Sequence, residues 1–333
     1  MVTGGAGFIG SHLVDLLIAR GDEVLVVDNL SVGMRENLAH HAGTGRVHLE
    51  VADVLDKEGM ASLMRGVDTC FHLATQCVRL SLSDPEFVHL VNTHGTLNVL
   101  LGAAGAGVRR FVYVSSSEAF GTAKWVPMSE EHPFEPTTIY GASKLAGEHY
   151  TRVFNGTHGL ATTTVRPFNT YGPRSHSKGA YGEAIPKFVL RAMNGKRPIV
   201  YGDGEQTRDF TYVTDTARGI LMASECDALL GQEVNVARGE EVSLNEVARL
   251  VLEICGRTDL TAEHGPDRPA DVRRHFADVT RAHETMGFNA DVDIVTGLTR
   301  YIDWFRATYP DPSLMMAHEQ AINWQSPARI GGV

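Results

Sequence analysis

The chain opens with Met1-Val-Thr-Gly-Gly-Ala-Gly-Phe-Ile-Gly-Ser-His12, and this stretch decides the fold. The glycines form the pattern G-x-x-G-x-x-G, which lets the backbone turn sharply out of a first strand. A helix predicted over 11–20 then offers its N-terminal amides to a pyrophosphate. The residues expected to bind it are Gly4, Gly7, Phe8, Ile9 and Gly10. Only three residues precede the glycines, so we expect a clipped first strand or a true start farther upstream.

An acidic residue, Asp28, stands directly after the predicted strand 24–27, eighteen residues past Gly10. A carboxylate at this place accepts hydrogen bonds from both ribose hydroxyls of a dinucleotide and repels a 2′-phosphate. NAD is therefore favoured over NADP as the cofactor. Asp53 follows the next strand and is expected to contact the adenine, with a helix N-cap as the competing interpretation. Three apolar residues complete the predicted cofactor site, namely Val54, Leu73 and Ala74.

Short β-branched runs alternate with helical periods through the first half of the chain. This alternation predicts an α/β fold with a doubly wound parallel (Rossmann) sheet, covered by helices on both faces. The strands are expected at 24–27, 47–51, 69–73, 111–115 and 162–166, and later helices at 214–224, 244–254 and 295–305. We expect a NAD-binding domain over 1–170, rejoined by segments near 208–236, a smaller substrate-binding lobe over 171–310, and a loose tail over 311–333.

The composition of the 333 residues excludes several classes of function. Thirty Lys and Arg against 40 Asp and Glu give a net charge of −10, which disfavours a nucleic-acid partner because phosphate backbones need a basic face. No apolar run reaches the roughly 18 residues of a membrane span. No basic, apolar leader opens the chain, so we expect a cytoplasmic protein without a membrane partner. The histidines lack metal-ligand spacing and the four cysteines form no C-x-x-C, so no metal site is predicted.

Tyr140 and Lys144 are four residues apart in a predicted helix, so both project from one face. A phenol is a poor base at neutral pH, but a neighbouring ammonium and a positive nicotinamide ring favour the phenolate. The phenolate can then take a proton from a substrate hydroxyl. Ser115-Ser-Ser-Glu118 ends another strand, at the edge where open parallel sheets place their ligands. A turn with N-capping serines is the alternative interpretation of this run.

Together these motifs resemble those of the extended short-chain dehydrogenase/reductases that act on nucleotide sugars. The resemblance extends to about residue 306 and rests on the glycine motif, Asp28, 73–75, 115–121, Tyr140 with Lys144, and Arg166-Pro-Phe-Asn-Thr-Tyr-Gly-Pro-Arg174. It implies that Ser116 and Tyr140 share the proton of the sugar C4 hydroxyl. It also implies that Lys144 holds the nicotinamide ribose and tunes the phenol.

The same resemblance implies a site for a nucleotide-diphosphate sugar, with UDP or dTDP as the nucleotide. Asn169 would contact the diphosphate, and Arg208 and Arg268 match the family's diphosphate-binding arginines. Arg174 is expected to join these substrate-binding residues. A solvated surface charge is the competing interpretation for each arginine. The resemblance also implies a homodimer, joined through helices near 92–106 and 140–155.

Glu118 and Ser117 indicate which member of the family the chain is most like. Simple 4-epimerases carry a small residue in place of Glu118, so this carboxylate suggests chemistry at C5. Ser117 stands where dTDP-glucose 4,6-dehydratases carry the acid for the departing C6 hydroxyl, which disfavours that reaction. The pair is similar to those of UDP-glucuronic acid decarboxylases and of GDP-mannose 4,6-dehydratases. Asp28 argues against the latter, which generally use NADP.

The expected reaction is therefore NAD-dependent decarboxylation of UDP-glucuronate through a 4-keto sugar, giving UDP-xylose, a UDP-4-keto-pentose, or both. Arg208 is the candidate partner of the sugar carboxylate. The expected catalytic residues are Ser116, Ser117, Glu118, Tyr140, Lys144 and Arg208. A 4-epimerase or 4,6-dehydratase of the same family is the alternative, and an inactive NAD-binding regulator is a further one. The stretch 75–81 looks closer to epimerase-like members, and 175–184 differs from the decarboxylases.

Overall fold

The computed structural model describes residues 1–176, 181–268, 270–317, 319 and 322. Its main element is a seven-stranded parallel sheet. Numbered in chain order with the other strands, its members are β1 (Val2–Thr3), β2 (Val24–Val27), β3 (Val47–Glu50), β4 (Thr69–His72), β5 (Arg110–Val114), β6 (Thr162–Pro167) and β11 (Glu233–Val236). They pair in the order β11-β6-β5-β4-β1-β2-β3. The strand order reverses between β1 and β4, and such a reversal opens a crevice at the carboxyl ends of the strands.

Helices cover both faces of this sheet, which confirms the predicted doubly wound α/β fold. They are α1 (Phe8–Arg20), α2 (Lys57–Leu63), α3 (Pro85–His89), α4 (Thr96–Ala106), α5 (Ile139–His158), α7 (Val213–Glu225) and α9 (Thr280–Met286). On one face, Leu13 of α1 and Ile220 of α7 pack in one core with Val26 and Val112 of the strands. On the other face, a second core holds buried side chains of α2, α4 and α5, namely Met60, Leu100, Ala103 and Phe154.

The remaining elements form a smaller lobe beside the crevice. Its helices are α6 (Ala184–Met193), α8 (Leu244–Ile254), α10 (Ile294–Thr308) and α11 (Ser313–Met316). Short strands complete it: β7 (Thr170–Tyr171) with β10 (Thr211–Tyr212), β8 (Ile199–Tyr201) with β13 (Glu263–Gly265), and β9 (Thr207–Arg208) with β12 (Val242–Ser243). Its core contains Phe188, Val251 and Ile302, all buried.

Side-chain caps begin several of these helices, as the sequence around each start dictates. The Thr138 hydroxyl accepts from the Gly141 amide at the start of α5, and Ser243 accepts from the Glu246 amide at the start of α8. The start of α1 differs, because its N-cap is Gly7 and no side chain caps it. The first amides of α1 are therefore left to a ligand rather than to a capping side chain.

The described part of the expected tail contains α11, in which Met315 is buried, and Pro312 accepts a hydrogen bond from Asn194. Residues 318, 320, 321 and 323–333 of that tail, and 177–180 of the stretch 175–184, lie outside the described residues. Within the described ranges, no helix combines the length and hydrophobicity needed to cross a membrane.

Candidate active site

A cavity of about 440 Å³ opens at the carboxyl ends of the central strands and extends along the smaller lobe. Residues that follow β1, β2, β4 and β5 line one side, and residues of α6 and of 199–210 line the other. Most of the predicted site residues line it: Gly4, Gly7, Phe8, Ile9, Gly10, Asp28, Asp53, Val54, Leu73, Ala74, Ser116, Ser117, Glu118, Tyr140, Lys144, Asn169, Arg208 and Arg268. The fold thus brings residues from distant parts of the chain to one cavity.

The glycine turn at one end of the cavity leaves no room for side chains. Gly4 has φ +71°, which favours glycine, and a Cβ on it would lie 2.8 Å from the Ala74 amide nitrogen. A Cβ on Gly10 would lie 2.2 Å from the Gly4 carbonyl oxygen. The turn is therefore closely packed against its own backbone, and the uncapped start of α1 faces the cavity beside it.

Asp28 stands at the end of β2 with its carboxylate fixed by the backbone. Its two oxygens accept hydrogen bonds from the amides of Ala6 (3.0 Å) and Leu30 (2.9 Å). Burial raises the pKa of Asp28, and these two hydrogen bonds lower it. Gly33 lies so close that a Cβ on it would be 2.6 Å from the carboxylate. The carboxylate is thus held at the cavity wall, where the sequence predicts the ribose of NAD.

Asp53 does not cap a helix, which was the competing interpretation of this residue. It accepts from the Leu55 amide (2.9 Å) and from the Asn29 side chain (2.8 Å). The cap of α2 is Asp56, whose carboxylate accepts from the Gly59 amide. Asp53 therefore stays at the cavity wall and is available to a nucleotide. Together with the uncapped α1 and the Asp28 carboxylate, it forms a cradle whose donors and acceptors fit NAD.

Tyr140 and Lys144 lie in the first two turns of α5, next to the end of β5. Lys144 is buried, donates from Nζ to the Val114 carbonyl (2.7 Å) and lies over the Tyr113 ring. Burial lowers the pKa of Lys144 to about 7, while Glu148 raises it. Burial also raises the pKa of Tyr140 well above its usual value, and a hydrogen bond with Ser116 lowers it. The phenol thus needs further positive charge to act as a base near neutral pH.

Glu118 lies in a short 3₁₀ turn, Ser117–Ala119, that directly follows β5. The Ser116 hydroxyl caps this turn by accepting from the Glu118 amide (3.2 Å), so one serine both shapes the turn and bonds to Tyr140. Burial raises the pKa of Glu118, and the charges of Arg268 and Arg208 lower it. A carboxyl group with a raised pKa is suited to moving protons. Ser117 is buried beside it and lines the cavity.

Three of the predicted substrate residues, Asn169, Arg208 and Arg268, line a wall of the same cavity, and the charges of both arginines act on Glu118. Arg208 donates to Asp271 (2.6 Å) and to the carbonyls of Val272 (2.6 Å) and Thr207 (2.8 Å). Two buried polar atoms, Asn169 Oδ1 and Arg268 Nε, have no hydrogen-bond partner among the described residues. Burial lowers the pKa of Arg268, and Asp271 raises it. Buried polar atoms without partners are costly, so this wall is suited to a polar, anionic ligand.

Arg174 is the one predicted site residue that does not line the cavity. Its φ is +66°, and its Nη1 lies 2.9 Å from the carboxylate of Asp15 on α1. The neighbouring Pro173 carbonyl is bonded to His12, also on α1. This ion pair engages the guanidinium of Arg174 with α1, and the expectation that Arg174 binds substrate stays a prediction.

Sequence reasoning missed a group of residues that reach the cavity from two separate stretches. Arg79, in the stretch after β4, donates from Nη2 to the Tyr181 carbonyl (2.7 Å) and lies 3.9 Å from Glu183. The Tyr181 hydroxyl donates to Gln76 (3.0 Å). Burial raises the pKa of Glu183 to about 7, and Arg79 lowers it. No motif marks these residues, although the stretch 75–81 already looked epimerase-like.

Three potential metal ligands come together outside the cavity. Among the described residues, Asp15, His40 and His41 place one ligand atom each within 4.8 Å of one another. Both imidazole Nε2 atoms lie within hydrogen-bond distance of one Asp15 oxygen, at 2.7 and 2.8 Å. The other oxygen pairs with Arg174. Hydrogen bonds and an ion pair therefore account for this cluster.

Residues 1–301 match the protein-family model described as GDP-mannose 4,6 dehydratase. The chain belongs to this family. A putative UDP-glucose 4-epimerase of Methanocaldococcus jannaschii is 34% identical over 309 residues, which cover 92% of this chain and 98% of that protein. UDP-glucuronic acid decarboxylase 1 of Xenopus tropicalis is 32% identical over 341 residues, which cover 99% of this chain and 76% of that protein.

A solved structure with bound cofactor is also similar to this chain. DesIV, a dTDP-glucose 4,6-dehydratase of Streptomyces venezuelae with NAD and TYD bound, matches with a TM-score of 0.88 and 32% identity, over 93% of this chain and 97% of that one. These similarities confirm the predicted resemblance to nucleotide-sugar short-chain dehydrogenase/reductases. The protein is an enzyme of that group, and its cofactor is NAD. The relatives carry out epimerisation, decarboxylation or dehydration at nearly equal identity, so they do not select one reaction.

Proposed function

We propose that the protein catalyses NAD-dependent decarboxylation of UDP-glucuronate through a 4-keto sugar, giving UDP-xylose, a UDP-4-keto-pentose, or both. The observation that carries the proposal is Glu118, a carboxyl group with a raised pKa, at the same cavity wall as Tyr140 and Ser116. Oxidation at C4 needs only a base and a hydride acceptor. A further carboxyl group beside them gives the site a means to move protons at the neighbouring carbon, C5.

The first step oxidises the C4 hydroxyl of the sugar. Bound NAD supplies a hydride acceptor. Tyr140 takes the hydroxyl proton, and Ser116, hydrogen-bonded to the phenol, holds the oxygen from which it leaves. Lys144, buried behind Tyr140, adds positive charge when protonated, which favours the phenolate. Its pKa of about 7 lets it change protonation state in the neutral range.

The second step releases carbon dioxide from the 4-keto sugar. The bond between C5 and the carboxylate carbon breaks, and its electron pair moves toward the C4 ketone to form an enolate. Ser116 and the Tyr140 hydroxyl can donate hydrogen bonds to that enolate oxygen. Glu118 then delivers a proton to C5 or positions the water that does. Return of the hydride to C4, with a proton from Tyr140, would give UDP-xylose, whereas release before that return would give the UDP-4-keto-pentose and leave the cofactor reduced. Ser117 has only a hydroxyl where water elimination from C6 would need an acid, which argues against dehydration.

The nucleotide diphosphate would lie against Asn169, Arg208 and Arg268, which line the cavity. Arg268 and Asn169 supply the polar atoms there that have no partner among the described residues. Arg208 is held by Asp271 and by backbone carbonyls, so it offers a fixed positive charge to the phosphates. These groups explain how a protein of net charge −10 can bind an anionic substrate.

Mass spectrometry of the product tests the proposed reaction. The protein is incubated with NAD and UDP-glucuronate, and we expect a nucleotide sugar that has lost one CO₂ (UDP-xylose) or one CO₂ and two hydrogen atoms (the UDP-4-keto-pentose), with Glu118→Gln greatly slowing its formation. An isomer of unchanged mass would contradict the proposal and indicate a 4-epimerase, the reaction named for the Methanocaldococcus relative. Water loss from a UDP- or dTDP-hexose would indicate a 4,6-dehydratase. The Tyr140→Phe variant is the inactive control.

We also propose that the enzyme works as a homodimer joined through the helical face formed by α4, α5 and the segment before α4. Large apolar side chains of these segments are exposed and would be removed from water by such an interface: Leu90 41%, Leu101 39%, Ile139 44% and Val153 52%. Sedimentation equilibrium tests this proposal, and a single species of monomer mass at micromolar concentration would contradict it.

A further inference from the structure

Arg79 places a third arginine in the cavity beside Arg208 and Arg268. It belongs to the stretch that follows β4 and precedes a short 3₁₀ turn, Leu80–Leu82. Its side chain is 13% exposed and lines the cavity. Because a buried guanidinium is costly to desolvate, anionic groups stabilise it, and the carboxyl group of Glu183 is one such neighbour of Arg79.

The contacts of Arg79 fix its guanidinium between two segments that line the cavity. Its Nη2 donates to the Tyr181 carbonyl at 2.7 Å and lies 3.9 Å from a carboxylate oxygen of Glu183. Both partners belong to the stretch that leads into α6, on the other side of the cavity. The guanidinium is therefore fixed between the stretch after β4 and the smaller lobe.

The charge of Arg79 acts on both groups that mark the reacting carbons. Burial raises the pKa of Tyr140, the expected base at C4, and of Glu118, the expected proton donor at C5, and the charge of Arg79 makes a smaller opposing contribution to each. For Glu118 the larger contributions come from Arg268 and Arg208. Arg208, however, already donates to Asp271 and to two backbone carbonyls. A carboxylate attached to C5 would thus lie within the field of Arg79, close to both groups.

We propose that Arg79 binds the carboxylate of the sugar and makes the enzyme select acidic sugars over neutral ones, an inference that rests on UDP-glucuronate being the substrate. The planar guanidinium matches a carboxylate through two parallel hydrogen bonds. Glu183 is the resident carboxyl group beside it, and it competes with the substrate for the same charge when it is ionised. Arg79 replaces Arg208 as the partner of the sugar carboxylate.

If Arg79 binds the substrate carboxylate, its removal should change KM and kcat differently. The substrate carboxylate leaves as neutral CO₂, so a strong bond to Arg79 stabilises the bound substrate more than the transition state. Removing the guanidinium should therefore raise KM for UDP-glucuronate without lowering kcat. A residue with only a structural role would lower the amount of folded enzyme and reduce kcat as well.

The test compares ligand affinities by calorimetry in NAD-loaded protein, in a Tyr140→Phe background so that no ligand is consumed. For Arg79→Leu we expect UDP-glucuronate to bind about 10- to 100-fold more weakly, since one charged hydrogen-bonded pair is lost. UDP and UDP-glucose should bind within about twofold of the parent. Arg79→Lys should recover part of the loss, because it keeps the charge without the planar fork.

The proposal is overturned if UDP-glucuronate and UDP-glucose weaken equally, or if neither weakens. Its failure can be told apart from failure of the proposed reaction. If Arg79→Leu loses selectivity for UDP-glucuronate but the active enzyme makes an isomer of unchanged mass, the carboxylate site stands and decarboxylation is wrong. If CO₂ is released but the variant keeps its selectivity, decarboxylation stands and the assignment of Arg79 is wrong.

Discussion

Replacing Gly10 by alanine adds a single methyl group at the tightest point of the glycine turn. The new Cβ would lie 2.2 Å from the Gly4 carbonyl oxygen, 2.9 Å from Gly5 Cα and 3.0 Å from the Gly4 carbonyl carbon. All three neighbours are backbone atoms, so no side chain can rotate out of the way. To bring the new Cβ even to 3.0 Å from the Gly4 carbonyl oxygen, the turn and α1 must separate by about 0.8 Å, because the present distance is 2.2 Å.

The size of the effect follows from this separation. Overpacking of a tight site costs about 1–3 kcal/mol, and displacement of a binding loop adds to the loss of affinity. We therefore expect Gly10→Ala to weaken the binding of NAD at least tenfold, which corresponds to a loss of about 1.4 kcal/mol in binding free energy. The free energy of unfolding should fall by about 1–3 kcal/mol.

Gly156→Ala is the matched control, because it makes the same chemical change inside α5. A Cβ at Gly156 meets nothing within 4 Å. Alanine favours a helix interior over glycine by roughly 0.5–1 kcal/mol, so this variant should be slightly stabilised and bind NAD normally. Calorimetry gives the NAD affinity and urea unfolding gives the stability. Wild-type NAD affinity and stability in Gly10→Ala, or equal destabilisation by both substitutions, would refute the steric argument.

Three further predictions address the reacting groups, the buried charges and the pH dependence. Tyr140→Phe should lower turnover by about 10²- to 10⁴-fold and leave UDP affinity unchanged; a loss below about tenfold, measured by product formation, would contradict its role as base. Arg166→Met removes a buried partner of Glu148 that donates two hydrogen bonds, of 2.9 and 2.7 Å, to its carboxylate. The free energy of unfolding, measured in urea, should therefore fall by about 3–5 kcal/mol, and a fall below about 1 kcal/mol would be inconsistent with that pairing. Burial raises the pKa of Glu183 from 4.5 to about 7, so between these values the folded protein binds more protons than the unfolded chain. The free energy of unfolding of the wild-type protein, relative to that of Glu183→Gln, should then fall as the pH rises from 4.5 to about 7. Parallel curves of unfolding free energy against pH for the two proteins would show that Glu183 does not titrate in this window.

Local patterns predicted the strands of the large sheet closely, apart from β11 (Glu233–Val236), which none of the predicted strands covers. The strand at Val24–Val27 is where the β-branched run stands, and the other four predicted strands end within one residue of their observed ends. Parallel strands buried on both faces are nearly continuous apolar runs, so their residues carry the signal themselves. The helix after the glycines begins at Phe8, three residues before the predicted start, because Gly7 rather than a polar side chain stands at the N-cap.

The positions of charged side chains were harder to predict, because each depends on a partner far along the chain. Arg174 and Arg208 both follow family-like motifs, yet Arg174 pairs with Asp15 outside the cavity. Arg79 carries no motif, yet it meets Tyr181, which is 102 residues away, at the cavity wall. A surface arginine and a ligand-binding arginine are alike in a single sequence, since only the packing of the lobes distinguishes them.

The sequence by itself determined the parallel α/β architecture, the glycine turn with Asp28, and the pairing of Tyr140 with Lys144. These features depend on residues within one turn or one strand–helix unit, where spacing alone sets the geometry. The tertiary structure decided which arginines face the cavity and how far burial moves the pKa of each group inside it. Both depend on desolvation and on charges contributed by distant segments, so they exist only once the lobes have packed together.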